Sequence, residues 1–460
     1  MNMAEQTDIL TEKTNLKRDV SMLTDSEEVF APLFPDGTPA DPMFLNDEAL
    51  SPEDPGPAWC LTDHGVRPDG TVQTGAIQRV IDMAAREGGG TVVVPPGEFL
   101  SGSLYFPRDV NLCLSEGGIL KGSDRISDYD LRETRIEGET CPYFAALINA
   151  DRADGFTIFG PGVIDGNGRR SWEAFWLRRK WNPACTNKDE QRPRLVYISN
   201  SSHVTLYGVR LQNSHFWTTH LYRCSDIRIL HCRITSPAGP VPAPSTDAID
   251  LDVCRDVLIR GCSFSVNDDA IALKGGKGLQ ADCLPENGPV QRVLIENCDF
   301  GFSHSCLTCG SEAVHCRNIL MRNCRVEGAC NLLRLKMRSD TPQRFEFITV
   351  ENVSGYASRL LNIHGWNQFA DSAAVSVPPS TAEEITLRNC DCVCDRMLDL
   401  DPEEKGIQGR RFRLEGIRVR AREAGFPPEA LCRAYPESVV REVSLQVDAA
   451  QPPVQTTDIL

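Results

Sequence analysis

The chain contains no apolar run long enough to span a bilayer, and its first twenty residues have no apolar core of the secretory kind. These absences argue against a membrane-spanning helix and predict a cytoplasmic protein. Positive charge is also scarce, because 48 Lys and Arg residues face 64 Asp and Glu residues, for a net charge of −16. A surface of that sign repels polyanions. We therefore expect neither nucleic acid nor a membrane as a partner, and the oligomeric state stays open.

Amphipathic helices are missing between the repeated segments, which excludes leucine-rich and ankyrin-type solenoids. What recurs is an alternating apolar run that ends in a polar corner. The copies begin at Phe156, Val204, Ile227, Val257, Val293, Ile319, Ile348 and Ile385. From the second copy onward their spacings are 23, 30, 36, 26, 29 and 37 residues. Alternation with period two and irregular spacing predicts an all-β parallel β-helix, in which extra residues form loops between coils.

The repeats predict one solenoid domain over residues 59–460, preceded by an extension over residues 1–58. The extension is acidic, and we expect it to be partly ordered and to lie on the solenoid or cap its end. Apolar residues at helical spacing between Thr74 and Arg86, followed by three glycines, predict an amphipathic helix. One helix before a β-solenoid is expected to cap the open end of the core.

Cysteine is plentiful, but its 19 residues are odd in number. Five of them occupy equivalent repeat positions, which favours small buried residues in a reducing compartment over disulfides: Cys232, Cys262, Cys298, Cys324 and Cys390. Zinc is the alternative for the cluster Cys390, Cys392 and Cys394. Strand alternation would place those thiols on one face without a partner pair, so we expect no metal and no cofactor.

Three carboxylates occupy corresponding places on two successive repeats: Asp247, Asp268 and Asp269. If the repeats stack, these like charges converge, and at least one pKa should be raised. A protonated carboxylic acid beside ionised carboxylates is what an inverting glycosidase requires. The alternative is structural, because Asp pairs at coil corners also cap turns.

Motifs in a fixed order resemble those of the polygalacturonases, glycoside hydrolase family 28, from about Trp59 to the 390s. The opening Asp-His-Gly-Val-Arg-Pro-Asp-Gly from Asp63 resembles the start of that family. Five stations follow, and each resembles a form found in the family: Asn213-Ser214-His215-Phe216-Trp217 (Asn-Ser-Pro-x-Trp), Ser245-Thr246-Asp247 (Asn-Thr-Asp), Asn267-Asp268-Asp269 (Gly-Asp-Asp), Ser303-His304-Ser305 (Gly-His-Gly) and Arg334-Leu335-Lys336 (Arg-Ile-Lys).

The resemblance implies a right-handed, single-stranded parallel β-helix of the pectin-lyase type. It implies that Asp268 is the general acid, and that Asp247 and Asp269 position and deprotonate the attacking water. It further implies that His304 tunes the protonation of the acid. Inversion needs roughly 6.5–9.5 Å between acid and base carboxylates, and we expect adjacent coils to supply it.

For substrate binding, the resemblance implies that Arg334 and Lys336 hold the carboxylate of a galacturonic acid unit. Lys274 follows the Asp pair directly and is expected at the cleft, with a solvated loop lysine as the alternative. Trp217 and Trp366 are candidate platforms for sugar rings, with packing under loops as the alternative.

Departures from the family pattern predict a narrower cleft. Ser303 and Ser305 replace glycines around His304, and an insertion follows Lys274 as far as Pro289. This insertion resembles the exo-acting bacterial members, in which loops close one end of the cleft. The acidic surface also suits a short oligosaccharide better than a polyanionic polymer.

The sequence therefore predicts an exo-acting hydrolase that releases galacturonic acid from pectin-derived oligosaccharides. Hydrolysis of a rhamnogalacturonan or substituted galacturonan linkage is the alternative within the family. A pectate-lyase-like eliminase is a second alternative, although the sequence has no evident calcium motif. A non-catalytic carbohydrate-binding β-helix is the third.

Overall fold

The computed structural model describes residues 32–41, 44, 56–368, 379–401 and 407–447. Within these ranges, thirty strands form one continuous sheet, and two more form a separate antiparallel hairpin. Neighbouring strands of the large sheet are parallel and lie about one coil apart in sequence. The chain is thus an all-β, pectin-lyase-like parallel β-helix, as predicted.

The strands up to the first carboxylate are β1 Ala58–Cys60, β2 Gly90–Val94, β3 Gly97–Ser101, β4 Leu104–Phe106, β5 Val110–Leu114, β6 Gly118–Gly122, β7 Leu131–Ile136, β8 Glu139–Phe144, β9 Ile148–Asp151, β10 Thr157–Phe159, β11 Val163–Asp165, β12 Val196–Ser199, β13 Ser202–Tyr207, β14 Arg210–Gln212, β15 Thr219–Tyr222, β16 Ser225–Leu230 and β17 Arg233–Thr235. The strands after it are β18 Ile249–Asp252, β19 Arg255–Arg260, β20 Ser263–Ser265, β21 Asp269–Lys274, β22 Pro289–Glu296, β23 Asp299–Cys309, β24 His315–Met337, β25 Arg344–Gly365, β26 Ser380–Arg388, β27 Asp391–Cys394, β28 Arg396–Leu400, β29 Ile407–Glu415, β30 Arg418–Ala421, β31 Val439–Arg441 and β32 Ser444–Val447.

The repeats recognised in the sequence lie in register with one another. Val204 pairs with Ile227, which pairs in turn with Val257. The same ladder continues through the first residues of the later repeats: Val293, Ile319, Ile348 and Ile385. Each of these side chains is buried, so identical apolar positions stack along the axis and form one core.

The corners between strands also stack. Asn297, Asn323 and Asn389 lie at corners with φ between +52° and +54°, a conformation that asparagine tolerates better than most residues. The cysteine after each corner points inward, and all 19 cysteines are free. The thiols of Cys390, Cys392 and Cys394 share the inner face and are buried in the main core, as the alternation predicted.

In the described part of the chain, three α-helices lie outside the coils: α1 Thr74–Arg86, α2 Arg169–Trp181 and α3 Ala430–Ala434. Short 3-10 helices span Leu61–His64 and Ile126–Asp128. The predicted helix is therefore found with the expected ends, and it buries Ile77, Val80 and Ile81 against the first strands. Helix α2 was not predicted. Among the residues described, no helix is both long and apolar enough to cross a membrane.

Part of the N-terminal extension lies on the outside of the solenoid. Phe34 and Phe44 pack on an outward row of leucines that includes Leu258 and Leu294. Before residue 56, the structure describes residues 32–41 and 44, and the other residues of the extension lie outside the described residues. The two-part division at residue 58 stays a prediction, although β1 already pairs with β2.

The stacked cysteines generate a prediction about stability. Cys262→Ser places a hydroxyl in the core, and we expect it to lower the free energy of unfolding by about 1–3 kcal/mol. Urea denaturation measures this change. The matched control is Cys283→Ser at an exposed position, which should be close to neutral. An equal effect of the two substitutions would contradict the packing role of Cys262.

Candidate active site

The β-helix brings the three carboxylates together as the repeats predicted. Asp247 lies two residues before the coil strand β18, and Asp269 begins β21, which pairs with β18. The backbone N–H of Ala248 donates to the carbonyl of Asp269 at 3.0 Å. Since the two coils stack in register, Asp247 and Asp269 are neighbours on one outer face, and Asp268 lies at the adjoining corner.

The three carboxylates form one close cluster. One oxygen of each of Asp247, Asp268 and Asp269 lies within 4.8 Å of the others. Stacking of the coils at the ladder repeat, about 4.8 Å, brings them together. The gap of roughly 6.5–9.5 Å that inversion needs is measured between whole carboxyl groups, and for this site it stays a prediction.

The environment separates the protonation of these groups. Burial, followed by the charges of Asp268 and Asp250, raises the pKa of Asp247 well above its usual range. Burial would also raise the pKa of Asp269, but Lys336 and Arg334 outweigh it and hold that pKa well below its usual range. In the ligand-free site, Asp247 therefore retains a proton most readily and Asp269 is ionised.

His304 forms an ion pair with Asp268, from Nδ1 to Oδ1 over 3.2 Å. Burial opposes ionisation of both groups, yet their mutual attraction lowers the pKa of Asp268 and raises that of His304. The ligand-free pair thus favours an ionised Asp268 beside a protonated imidazole. This differs from the raised pKa that a resting general acid would show.

Lys274 lies at the cleft and is not a solvated loop lysine. Its Nζ is 3.6 Å from Asp247, 3.5 Å from Asp250 and 3.5 Å from Glu312. Burial by itself would lower the pKa of Lys274, but the charges of these three acids outweigh it and raise that pKa. The charge of Lys274 offsets part of the free-energy cost of burying several carboxylates close together.

Sequence reasoning missed Asp250 and Glu312. Asp250 is fully buried and follows Asp247 in the same repeat, and strand alternation could have placed it on the outer face. Glu312 lies in a connection between β23 and β24, where the sequence carries no periodic signal. Only the folded chain brings Glu312 to Lys274.

Arg334 and Lys336 lie on β24 and reach the same face. Lys336 donates from Nζ to Oδ2 of Asp269 at 2.7 Å. Its Nζ also lies 4.7 Å from the ring centroid of Trp366, and the Arg334 guanidinium carbon lies 5.0 Å from that centroid. The Arg334 side chain forms no hydrogen bond or ion pair with any residue that the structure describes. Its guanidinium group can therefore donate to an incoming carboxylate.

Trp217 does not offer a sugar platform. Its ring is 4% exposed and stacks on Phe216 with centroids 5.0 Å apart. The ammonium of Lys274 lies 4.5 Å from the Trp217 ring centroid. Because almost none of the residue is exposed, sugar contact by Trp217 is not supported. The tryptophan instead packs beneath the lysine that holds Asp247.

Three segments cover the outer face beside Asp247: the β7–β8 hairpin, residues 182–194 and the insertion 275–288. We call these segments the end wall. Arg135 of the hairpin donates to Asp252 at 3.0 Å and to Asn287 of the insertion at 2.6 Å. Tyr222 donates to the Glu286 carbonyl at 2.8 Å. The coil surface before Asp247 is thereby occupied by protein.

Buried polar contacts fasten the end wall to the coils. Arg194 donates to Thr134 of the hairpin at 2.6 Å and lies 2.6 Å from Nδ1 of His220. Asn187 donates to Glu137 at 2.7 Å, and its oxygen accepts from Ser245 at 3.3 Å. Ser245 is two residues before Asp247, so the wall connects directly to the carboxylate site.

The serines around His304 differ from each other in position. Ser303 pairs with Ala329 and is completely buried, so it faces the core and does not narrow the cleft. Ser305 pairs with Asp269 on the outer row, but it too is completely buried. The expectation that both serines narrow the cleft floor is wrong for Ser303, because it lies in register with the core residue Ala329.

Within the described residues, Asp247, Asp268 and Asp269 are also the only group of three or more candidate ligands close enough to share a metal ion. Three carboxylates alone do not identify a metal site. Lys336 already donates to Asp269, and Lys274 lies beside Asp247. Ammonium groups thus supply the positive charge that a cation would bring.

The fold and a cleft of carboxylates, arginine and lysine resemble those of enzymes that cleave uronic acid polymers. The model of glycosyl hydrolases family 28 matches residues 118–358, more than half of the chain and the whole carboxylate site. The chain belongs to this family and is a glycoside hydrolase.

Its relatives include both modes of action. An endo-polygalacturonase of Pectobacterium parmentieri is 25% identical over 306 residues, covering 64% of this chain and 71% of that protein. An exopolygalacturonase of Zea mays is 27% identical over 226 residues, 48% of this chain and 50% of that protein. The crystal structure of an exopolygalacturonase from Thermotoga maritima superposes with a TM-score of 0.73 at 20% identity, covering 86% and 93% of the two chains.

Asp250 generates a prediction about pH. Its complete burial raises the pKa to about 7, against the opposing charge of Lys274. The folded protein therefore binds this proton more tightly than the unfolded chain does. As the pH rises from about 4 to 7, the free energy of unfolding should fall by at most roughly 1.4 kcal/mol per pH unit on this account. Asp250→Asn should flatten that slope in urea denaturation.

The matched control for this measurement is Asp63→Asn, at an exposed position, which should retain the wild-type slope. If Asp250→Asn left the slope between pH 4 and 7 unchanged, Asp250 would not be the group that takes up the proton.

Proposed function

We propose that the protein is an exo-acting hydrolase that releases galacturonic acid from pectin-derived oligosaccharides by an inverting mechanism. The observation that carries this proposal is the end wall, which covers the coil surface next to Asp247, while on the other side the Arg334 guanidinium has no hydrogen-bonding partner among the residues described. Relatives named for galacturonan hydrolysis support the substrate class. Since all 19 cysteines are free, we also propose a reducing compartment such as the cytoplasm.

In the proposed reaction, Asp268 protonates the glycosidic oxygen. Asp247 and Asp269 orient a water molecule, and Asp269, whose pKa is lowered, takes its proton. Lys336 and Arg334 bind the uronate carboxylate. Lys336 also lowers the pKa of Asp268 in the ligand-free site. A bound carboxylate would neutralise that influence, and exclusion of water would disfavour the ionised pair of Asp268 and His304. The proton can then pass from His304 to Asp268 and on to the leaving oxygen.

Two stereochemical outcomes are distinguished by the group that attacks the anomeric carbon, which is water for inversion and a carboxylate for retention. We favour inversion because Lys336 occupies one oxygen of Asp269 and two carboxylates can share one water. The anomeric configuration of the first product, read by NMR, decides between them. A product that keeps the substrate configuration would overturn the inverting mechanism.

Substitution of the acid is the first functional prediction. Asp268→Asn should lower turnover by about 10²–10⁴-fold while substrate still binds, because proton transfer is removed. A galacturonide with a nitrophenyl leaving group, which needs little protonation, should restore turnover to this variant. Asp247→Asn should not be rescued, since it impairs the attack of water. The opposite pattern of rescue would make Asp247 the acid.

Mode of action is the second functional prediction. If the end wall closes the cleft, galacturonic acid should be the sole early product from oligogalacturonides, as chromatography of low-conversion digests can measure. Arg135→Ala, which removes the buried ion pair with Asp252, should loosen the wall and add longer products. Arg132→Ala on the same hairpin is exposed and serves as the control. Dimers and longer fragments from the wild-type enzyme would indicate an endo-acting enzyme.

A further inference from the structure

The turn of the β7–β8 hairpin places an acidic side chain in the end wall. Glu137 and Gly138 form the two-residue connection, with φ of +48° and +79°. Turns with positive φ at both positions favour Asn, Asp or Gly at the first. A glutamate in that conformation is uncommon and is held there by its surroundings. The position therefore suggests a use for the carboxylate.

The surroundings of Glu137 orient its side chain toward the carboxylate site. Its Oε1 accepts a hydrogen bond of 2.7 Å from Asn187, whose own oxygen accepts from Arg192 at 2.9 Å and from Ser245 at 3.3 Å. Only 8% of Glu137 is exposed. Asn187 thus links the Glu137 carboxylate to the residue two positions before Asp247.

Charges on the far side of the turn complete this part of the wall. Gly138 packs against Lys277 so closely that a Cβ on Gly138 would lie 2.8 Å from the Lys277 Cβ. Among the residues described, Lys277 forms no ion pair. Burial, and then the charge of Glu312, raise the pKa of Glu137. Glu312 itself lies 3.5 Å from Lys274. A hydrogen-bond acceptor and a cation therefore face the covered end of the cleft.

We propose that Glu137 recognises the chain end, accepting a hydrogen bond from the 4-hydroxyl of the non-reducing terminal uronic acid. This inference rests on the proposed function and identifies the group that makes the enzyme specific for a terminus. An internal unit carries a glycosidic bond at that oxygen and has no hydroxyl to donate. Lys277 supplies positive charge for the uronate carboxylate of the same unit.

The polarity of the bound chain follows from the acid. Asp268 is paired with His304 on the next coil, away from the end wall. The leaving group therefore extends toward Arg334, and the unit that is released as the first product lies between Asp247 and the wall. In this orientation the enclosed unit is the non-reducing terminus.

The test compares trigalacturonate with the same trimer carrying a 4,5-unsaturated terminal unit, which lacks the 4-hydroxyl. Wild-type kcat/KM should be about 10- to 100-fold higher for the saturated trimer, as expected when a buried acceptor is left without its hydrogen-bond donor. Glu137→Ala should bring the two values together by reducing only the saturated one. Glu133→Gln, at an exposed position on the same hairpin, should keep the wild-type ratio.

A wild-type ratio that persists in Glu137→Ala would overturn the proposal. Thermal unfolding shows whether Glu137→Ala is folded. If it is not, Glu137→Gln, which preserves the shape of the side chain, replaces it and should give a ratio between that of the wild type and one.

Binding of free galacturonate, measured by calorimetry, separates this proposal from the proposed function. Glu137→Ala should weaken that binding about tenfold, whereas Glu133→Gln should leave it unchanged. If no galacturonan is hydrolysed but galacturonate binding depends on Glu137, the proposed function fails and the recognition site stands. If Glu137→Ala binds galacturonate like the wild type, the recognition site is wrong even where hydrolysis is observed.

Discussion

The in-register stacking of parallel strands is the constraint on which the rest of the structure depends. Each residue of the ladder lies about 4.8 Å from its equivalents on the coils before and after. Apolar equivalents such as Val257 and Val293 then form a continuous core. The same stacking forces Asp247 against Asp269, so the geometry of the fold also creates the charge crowding of the active site.

Crowded carboxylates require nearby cations, and the chain supplies two buried lysines in different ways. Lys336 donates directly to Asp269 and keeps it ionised, whereas Lys274 lies at 3.5–3.6 Å from three acids. The pKa of Asp269 is therefore lowered, while burial and neighbouring acids raise the pKa of Asp247. The environment thus shifts the pKa values of two chemically identical groups in opposite directions.

The end wall covers part of the outer face without a change in the solenoid. Its segments lie outside the ladder, and their buried arginines, Arg135 and Arg194, attach them to coil residues. A buried charge pair is costly to break because one partner is left without compensation. The ion pair between Arg135 and Asp252 therefore stabilises the attachment of the hairpin to the coils.

The sequence by itself determined the solenoid, the capping helix and the carboxylate cluster, because each depends on local alternation or on residues at equivalent repeat positions. It also placed His304, Arg334 and Lys336 on the correct face. It could not place Glu137 or Glu312, nor show that Trp217 packs under the β7–β8 hairpin and that Ser303 is fully buried. Those outcomes depend on how loops of irregular length fold over the coils and on which neighbours occupy each side chain's surface. Tertiary packing alone decided them, because no periodic pattern extends into the connections.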